Sequence, residues 1–393
     1  MPYTPKAGRK AILQRLVGVV HRTLRGDAHT GESCHPRGAC ADNARMTDAA
    51  AFAALTPDDV LDALAGIGLM GDGRLSALNS YENRVYLAHL EPGTTLADTH
   101  PAVVLKFYRP GRWSVAQIEE EHAFALELAA AEVPVVAPLQ IAGRTLHAHG
   151  GFVFSVSPRR GGRTPELGDA EALEWIGRFI ARLHGVGARA RFAHRPAVDL
   201  DDYGREPRQW LLAHGALPLE VEREWADVSQ HAIDAIADSA FSTCAAAPFD
   251  PESSAIATLR LHADCHPGNI LWTPTDRPGG GPHFVDLDDC RSGPAVQDLW
   301  MLLPGERAER QQALGALLDG YEQVRDFDRR ELALIEPLRT LRLIHYSAWI
   351  ARRWDDPAFP AAFPHFGTPA YWREQIDVLQ AQLEAMQEPP LVA

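Results

Sequence analysis

From Thr56 onward the chain moves between short apolar runs at period two and longer stretches whose apolar positions fall three and four apart, the patterns of strands and helices. Thr56-Pro57-Asp58-Asp59 opens a short helix, with a threonine cap, a proline at the first helical position and two early acids. Strand patterns follow at residues 75–78 and 84–90, on either side of the polar turn Asn79-Ser80-Tyr81-Glu82-Asn83, and again at 103–108. Ser114 with Gln117 three residues on is a capping box, and in the run it opens Ile118, Glu121, Phe124, Ala125 and Leu128 share one helical face. Glu119 and Glu120 rotate off that stripe by about 100° per residue, toward solvent. Further strands are expected near 139–143 and 152–157. Pro158 and Gly161-Gly162 then break the pattern, and the remainder reads as mainly helical: 171–184 ending at Gly185, 219–240, 296–303, 309–321, 330–353 and 371–386. Pro278-Gly279-Gly280-Gly281-Pro282 reads as a surface hairpin loop. No internal repeat is visible. This order predicts an α+β protein of two lobes, a small β-rich N-lobe over 46–157 and a larger helical C-lobe over 158–393, with a hinge near residues 154–160.

Composition narrows the class. A chain of 393 residues with 46% hydrophobic content can bury a core in each lobe. It has no apolar run of ~18 residues, so no membrane span is expected. Its five cysteines, Cys34, Cys40, Cys244, Cys265 and Cys290, are odd in number and lack a C-x-x-C pattern, which fits a reducing compartment and a cytoplasmic protein. Cys265 and Cys290 flank the acidic residues discussed below and read either as inert buried thiols or as redox-sensitive ones. Charge divides unevenly. Residues 1–45 hold eight Lys or Arg against three acids, and the remainder holds 30 against 49. So acidic a body argues against a nucleic-acid partner. The basic segment 1–45 lacks the apolar core and cleavage pattern of a signal peptide and reads as a flexible extension or the product of an upstream start, with Met46 just after it.

The candidate chemistry lies between 260 and 300. His262-Ala263-Asp264-Cys265-His266-Pro267-Gly268-Asn269 is followed by Phe284-Val285-Asp286-Leu287-Asp288-Asp289. A carboxylate, a carboxamide five residues later and a carboxylate seventeen further on supply what phosphoryl transfer needs: a proton acceptor for a hydroxyl and two hard oxygen ligands for magnesium. Asp264 is the candidate acceptor, and Asn269 and Asp286 are the candidate metal ligands. The chemistry also requires a strand lysine to hold phosphates and a helix carboxylate to orient it. Lys106, inside the β-rich run Val103-Val104-Leu105-Lys106-Phe107-Tyr108, and Glu121, an acid on an apolar stripe, are those candidates. The turn 79–83 has no G-x-G-x-x-G or Walker pattern; Ser80 can offer its hydroxyl and N–H to phosphates, with Asn79 and Asn83 tolerating turn dihedrals, or the turn is a plain polar hairpin. Asp298 reads equally as an acceptor for the loop's backbone or as an acid at a helix start. His266 reads as satisfied by its own loop or as a group near the γ-phosphate.

Three strings, Leu78-Asn79-Ser80-Tyr81-Glu82-Asn83-Arg84-Val85-Tyr86, the loop 262–269 and Arg291-Ser292-Gly293-Pro294-Ala295-Val296-Gln297-Asp298-Leu299-Trp300-Met301-Leu302-Leu303, resemble the bacterial stress-response serine/threonine kinases of the aminoglycoside phosphotransferase or choline kinase-like family. The likeness runs from about Thr56 to Leu391. It implies a two-lobed kinase-like fold, ATP as co-substrate, Mg2+ on Asn269 and Asp286, Asp264 and Asp286 as catalytic residues, Ser80 at the ATP site, and protein Ser/Thr acceptors. Position 263 departs from the family: it is Ala where Gly is common, which matters if φ is positive there. The strand end Asp286-Leu287-Asp288 is not D-F-G and no A-P-E follows, so no phosphorylation-gated activation loop is expected. A monomer is expected. Two other classes stay open: a small-molecule kinase acting on an amino alcohol, a homoserine-like compound or an aminoglycoside, whose cationic substrate Glu331, Glu336, Asp355 and Asp356 would meet, and a pseudokinase scaffold.

Overall fold

The computed structural model describes residues 52–94, 96–245 and 253–392. The expectations for the extension 1–45, with Cys34 and Cys40, lie outside them.

The first helix, α1 (Pro57–Gly66), starts where the sequence places its cap: the Asp59 N–H donates to Thr56 Oγ1 at 3.2 Å and the Thr56 N–H to Asp59 Oδ2 at 2.8 Å. Strands β1 (Gly71–Leu78), β2 (Arg84–Leu90) and β3 (Ala102–Phe107) form an antiparallel meander. Helix α2 (Val115–Ala130) follows, then β4 (His147–His149) and β5 (Phe152–Pro158), closing a five-stranded sheet of order β1-β2-β3-β5-β4. Val60, Leu64, Val103, Leu105, Phe107, Phe154 and Val156 are buried together as its core. The strand expected at 139–143 is absent. Ala142 and Gly143 both take positive φ, 50° and 77°, which turns the chain back on itself between Ile141 and Arg144, and the strand forms at His147 instead.

Helix α2 buries Ile118, Glu121, His122, Phe124, Ala125 and Leu128, and its last turns pack on Leu183, Val186, Leu287 and Cys290 of the helical lobe. A helix of the small lobe thereby rests on the loop after the metal-candidate strand. The helical lobe comprises α3 (Ala170–Gly187), a π-helical turn at Asp201–Arg205 running into α4 (Glu206–Ala213), α5 (Leu219–Ala237), β6 (Leu259–Leu261), β7 (Ile270–Thr273), β8 (Gly281–Phe284), β9 (Arg291–Gly293), α6 (Gln297–Trp300), α7 (Arg307–Tyr321), α8 (Ile335–Arg352), α9 (Ala358–Ala362) and α10 (Pro369–Ala385). The helix expected over 330–353 divides into a 3-10 segment, Arg329–Leu334, and α8. Pro337 has no N–H to donate and is tolerated only in a first turn, which sets the start at Ile335. Helix α4 and the π turn were not anticipated; Pro207, at the start of α4, reads as a breaker in sequence.

Helices α3 and α7 meet backbone to backbone. A Cβ on Gly177 would lie 2.0 Å from the Leu317 carbonyl oxygen, and one on Gly320 would lie 1.9 Å from that of Glu174. No helix among the described residues is long and apolar enough to cross a membrane.

Candidate active site

The loop 262–269 joins β6 to β7 and is pinned from below. Ala263 sits at φ 67°, the left-handed region, which costs an alanine on the order of 1 kcal/mol. What holds it is Asp298, fully buried on α6: Oδ1 accepts the Ala263 N–H at 2.7 Å, and Oδ2 accepts the His262 N–H at 3.0 Å and the His184 Nε2–H at 3.1 Å. Gln297 Nε2 donates to the Ala263 carbonyl at 2.7 Å. Asp298 is thus an acceptor for the loop. His266 accepts the Gly268 N–H on Nδ1 at 3.0 Å, so its own loop satisfies one face, while Nε2 lies 3.6 Å from Asp264 Oδ2.

Asp264 emerges from this loop with its carboxylate partly exposed. Asn269 Nδ2 donates to the Asp264 carbonyl at 3.0 Å and reaches Oδ2 at 3.3 Å. Arg342 Nη2 lies 2.8 Å from Oδ1. Burial pushes the Asp264 carboxyl up, but the Arg342 guanidinium, with His266, holds it below the usual carboxylate range. Arg342 comes from α8, and nothing local in the sequence marks it among the arginines of that helix.

Strand β8 pairs with β7 in the register Phe284 opposite Ile270, and the Val285 N–H continues it to the Asn269 carbonyl at 3.0 Å. Asp286 then breaks off at φ 61°, with its side chain 53% exposed. The register sets Val285 opposite Asn269, so Asp286 follows one residue on, at the same end of the strand pair. Asn269 donates through Nδ2, which leaves its amide oxygen to accept. With one carboxylate, the pair offers the hard-oxygen donor set that suits a divalent cation completed by phosphate oxygens and water.

Lys106, on β3, extends to the same point. Its Nζ lies 3.0 Å from Asp286 Oδ1, 3.1 Å from Asp288 Oδ1 and 3.7 Å from Glu121 Oε1. Burial pulls the ammonium down, and the three carboxylates overcome it, holding Lys106 charged well above its usual value. Burial pushes the Glu121 carboxyl up to about 7 against the pull of Lys106. Asp288, invisible as a partner in sequence, also takes Arg112 and the Asn83 Nδ2–H, the latter at 3.2 Å.

Ser80 is half-buried between β1 and β2. The turn that carries it is no plain polar hairpin. Glu82 and Asn83 are buried, neither asparagine takes a positive φ, and Arg109 donates through Nε to the Glu82 carbonyl at 2.9 Å and through its backbone N–H to Asn83 Oδ1 at 3.1 Å. Nor do the four C-lobe acids form a cation-binding wall. Glu331 accepts the Val296 N–H, Glu336 pairs with Arg310 and Arg339, Asp356 is buried against Arg84 and Arg109, and Asp355 alone is exposed. Cys265 and Cys290 are both buried and their thiols are pushed up by that burial, away from the thiolate that redox chemistry needs.

The chain is similar to known proteins. Over 340 residues the chain is 44% identical to the serine/threonine protein kinase RdoA of Salmonella typhimurium, covering 86% of this chain and 96% of that protein. It is 43% identical, with the same coverage, to stress response kinase A of Escherichia coli strain K12. Among solved structures it resembles amicoumacin kinase hAmiN in complex with AMP-PNP, Ca2+ and Ami, with a TM-score of 0.61 and 17% identity over 85% of this chain and 95% of that one. It also resembles the microcompartment-associated aminopropanol kinase, with a TM-score of 0.59 and 19% identity over 83% and 98%. Those two likenesses are of fold. The model of the phosphotransferase enzyme family matches residues 74–335, from β1 through the start of α8, and so takes in Ser80, Lys106, Asp264, Asn269 and Asp286. By that match and by its identity to relatives over nearly their whole length, the chain belongs to the phosphotransferase enzyme family.

Proposed function

We propose that this phosphotransferase is an ATP- and magnesium-dependent serine/threonine protein kinase that acts in the cytoplasm in a stress response. The observation that carries the reading is the identity over 96% of a relative that is itself named a serine/threonine protein kinase. The geometry supports a kinase mechanism. Lys106, kept cationic by three carboxylates, holds the nucleotide's phosphates, and Glu121 orients it. Ser80 offers its hydroxyl and backbone N–H from above. Magnesium held by Asn269 and Asp286 would neutralise charge on the transferring and leaving oxygens.

Asp264 receives the proton of the acceptor hydroxyl. Arg342 fixes one carboxylate oxygen and Asn269 the other, so the group is oriented before substrate arrives and no reorganisation is needed at the moment of attack. The hydroxyl oxygen attacks the γ-phosphorus in line, the bond to the β-γ bridging oxygen breaks, and ADP leaves. A cationic small molecule is the less supported acceptor: of the acids suggested for it, Glu336 and Asp356 are paired with arginines and Glu331 accepts the Val296 N–H, and an arginine stands beside Asp264.

Transfer from labelled ATP to general protein acceptors, measured beside choline, homoserine and aminoglycosides, tests this. Labelling of a small molecule alone overturns the protein kinase reading. Asp264→Asn should abolish transfer and keep nucleotide binding; a variant that still transfers phosphate removes Asp264 from the role of base.

A further inference from the structure

The turn that carries Ser80 is tied to the far end of the helical lobe by buried charges that the mechanism does not use. The Glu82 carboxylate lies 3.1 Å from Arg109 Nε and 2.6 Å from Arg353 Nε, and its Oε2 accepts the Trp349 indole N–H at 2.6 Å. Asp356 accepts Arg109 Nη2 at 2.7 Å and Arg84 Nη2 at 3.1 Å, and its Oδ1 takes the Ala358 N–H at 3.1 Å. Both residues are buried. Buried ion pairs of this kind add little net stability over apolar packing, and what they supply is a defined geometry. Here they join segments more than 240 residues apart in sequence.

The tie also continues to the chemistry. Arg109 grips the carbonyls of Tyr81 and Glu82, Asn83 reaches Asp288, and Asp288 lies 3.1 Å from Lys106 Nζ. The turn has no glycine, so its stiffness does not come from a backbone cradle. It comes from Arg109 of the small lobe together with side chains of the helical lobe.

We propose that Glu82 and Asp356 are positioning residues for the nucleotide: they clamp the turn 79–83 to residues 349–356 of the helical lobe and so hold Ser80 over the phosphates. The inference rests on the reading of Ser80 as a phosphate-side group. It makes phosphate affinity depend on residues at the C-terminal end of α8, which touch no nucleotide. The clamp is preorganised, so its loss lowers affinity for the triphosphate without touching the adenine side.

Calorimetry with a non-hydrolysable ATP analogue and magnesium, and separately with adenosine, tests it on the full chain. Glu82→Gln and Asp356→Asn should weaken the analogue about tenfold, Trp349→Phe less and in the same direction, and none should move adenosine. Adding Ser80→Ala to Glu82→Gln should cause no further loss, because the serine is already out of place. Equal weakening of adenosine would mean a general loosening of the lobes and would overturn the proposal. So would parental affinity in the clamp variants while Ser80→Ala alone weakens the analogue. If Ser80→Ala leaves affinity unchanged, the reading of the turn as the phosphate cover fails first. Where either carboxylate variant does not fold, Trp349→Phe, which loses one hydrogen bond and keeps an aromatic ring, carries the test, and parental affinity in it overturns the clamp.

Discussion

Removing the Asp298 carboxylate should unmoor the catalytic loop, and the structure sets the scale of the loss. Three buried donors meet this side chain, the N–H groups of Ala263 and His262 and the Nε2–H of His184. Hydrogen bonds to a charged group contribute roughly 1.5–3 kcal/mol each, so the three together bound the effect at about 5–9 kcal/mol. Relaxation and water entering the vacated space recover part of this, which leaves about 4 kcal/mol for Asp298→Ala. Asp298→Asn keeps one acceptor oxygen and turns an amide N–H toward a donor, for about 2 kcal/mol. Against a total stability of roughly 5–15 kcal/mol these are large losses. Urea unfolding followed by tryptophan fluorescence and circular dichroism measures them, with coincident transitions as the check on two-state behaviour. The Ala263 backbone, held at positive φ by one of these bonds, should relax, and kcat should fall at least about tenfold. A loss below about 1 kcal/mol at an unchanged m-value, or a parental kcat, refutes the reasoning.

Other sites give independent expectations. Asp286→Ala should remove the gain in nucleotide affinity that magnesium provides, and calorimetry with and without the metal checks it; a persisting metal-dependent gain contradicts Asp286 as a ligand. Burial pushes the Glu331 carboxyl up to about 8, so its contribution to stability is full below the unfolded-chain value near 4.5 and is lost as pH rises through about 8. Glu331→Gln keeps an acceptor for the Val296 N–H without a titrating group. Its stability relative to the parent should therefore improve between about pH 5 and about pH 9, and an unchanged difference in denaturation midpoints would argue against the shift. Gly177→Ala drives a methyl against the Leu317 backbone and should cost about 3 kcal/mol. Gly185→Ala in the same helix, where an added Cβ meets nothing within 4 Å, should be neutral or stabilising by about 0.5–1 kcal/mol. Equal melting temperatures for the two variants would mean that α3 and α7 do not meet as closely as described.

The chain's local elements are legible in its sequence, because caps, breakers and short-range periodicity act over a few residues. The capping boxes at Thr56 and Ser114 and the buried stripe of α2 depend on side chains three or four positions apart, and they formed where those residues stand. The same locality made Lys106, Glu121, Asp264, Asn269 and Asp286 visible as candidates: each is a charge or amide out of place in an apolar run or a tight turn. The pairing of Lys106 with Glu121 was legible too, but the other partnerships were decided by tertiary structure alone. Arg342 on Asp264, Arg112 on Asp288, and Arg109 and Arg353 on Glu82 pair residues that lie tens to hundreds of positions apart, and the arginines look solvated in sequence. A charge gains a defined partner only when folding removes the water around it, and which two charges lose their water together is settled by how the lobes pack.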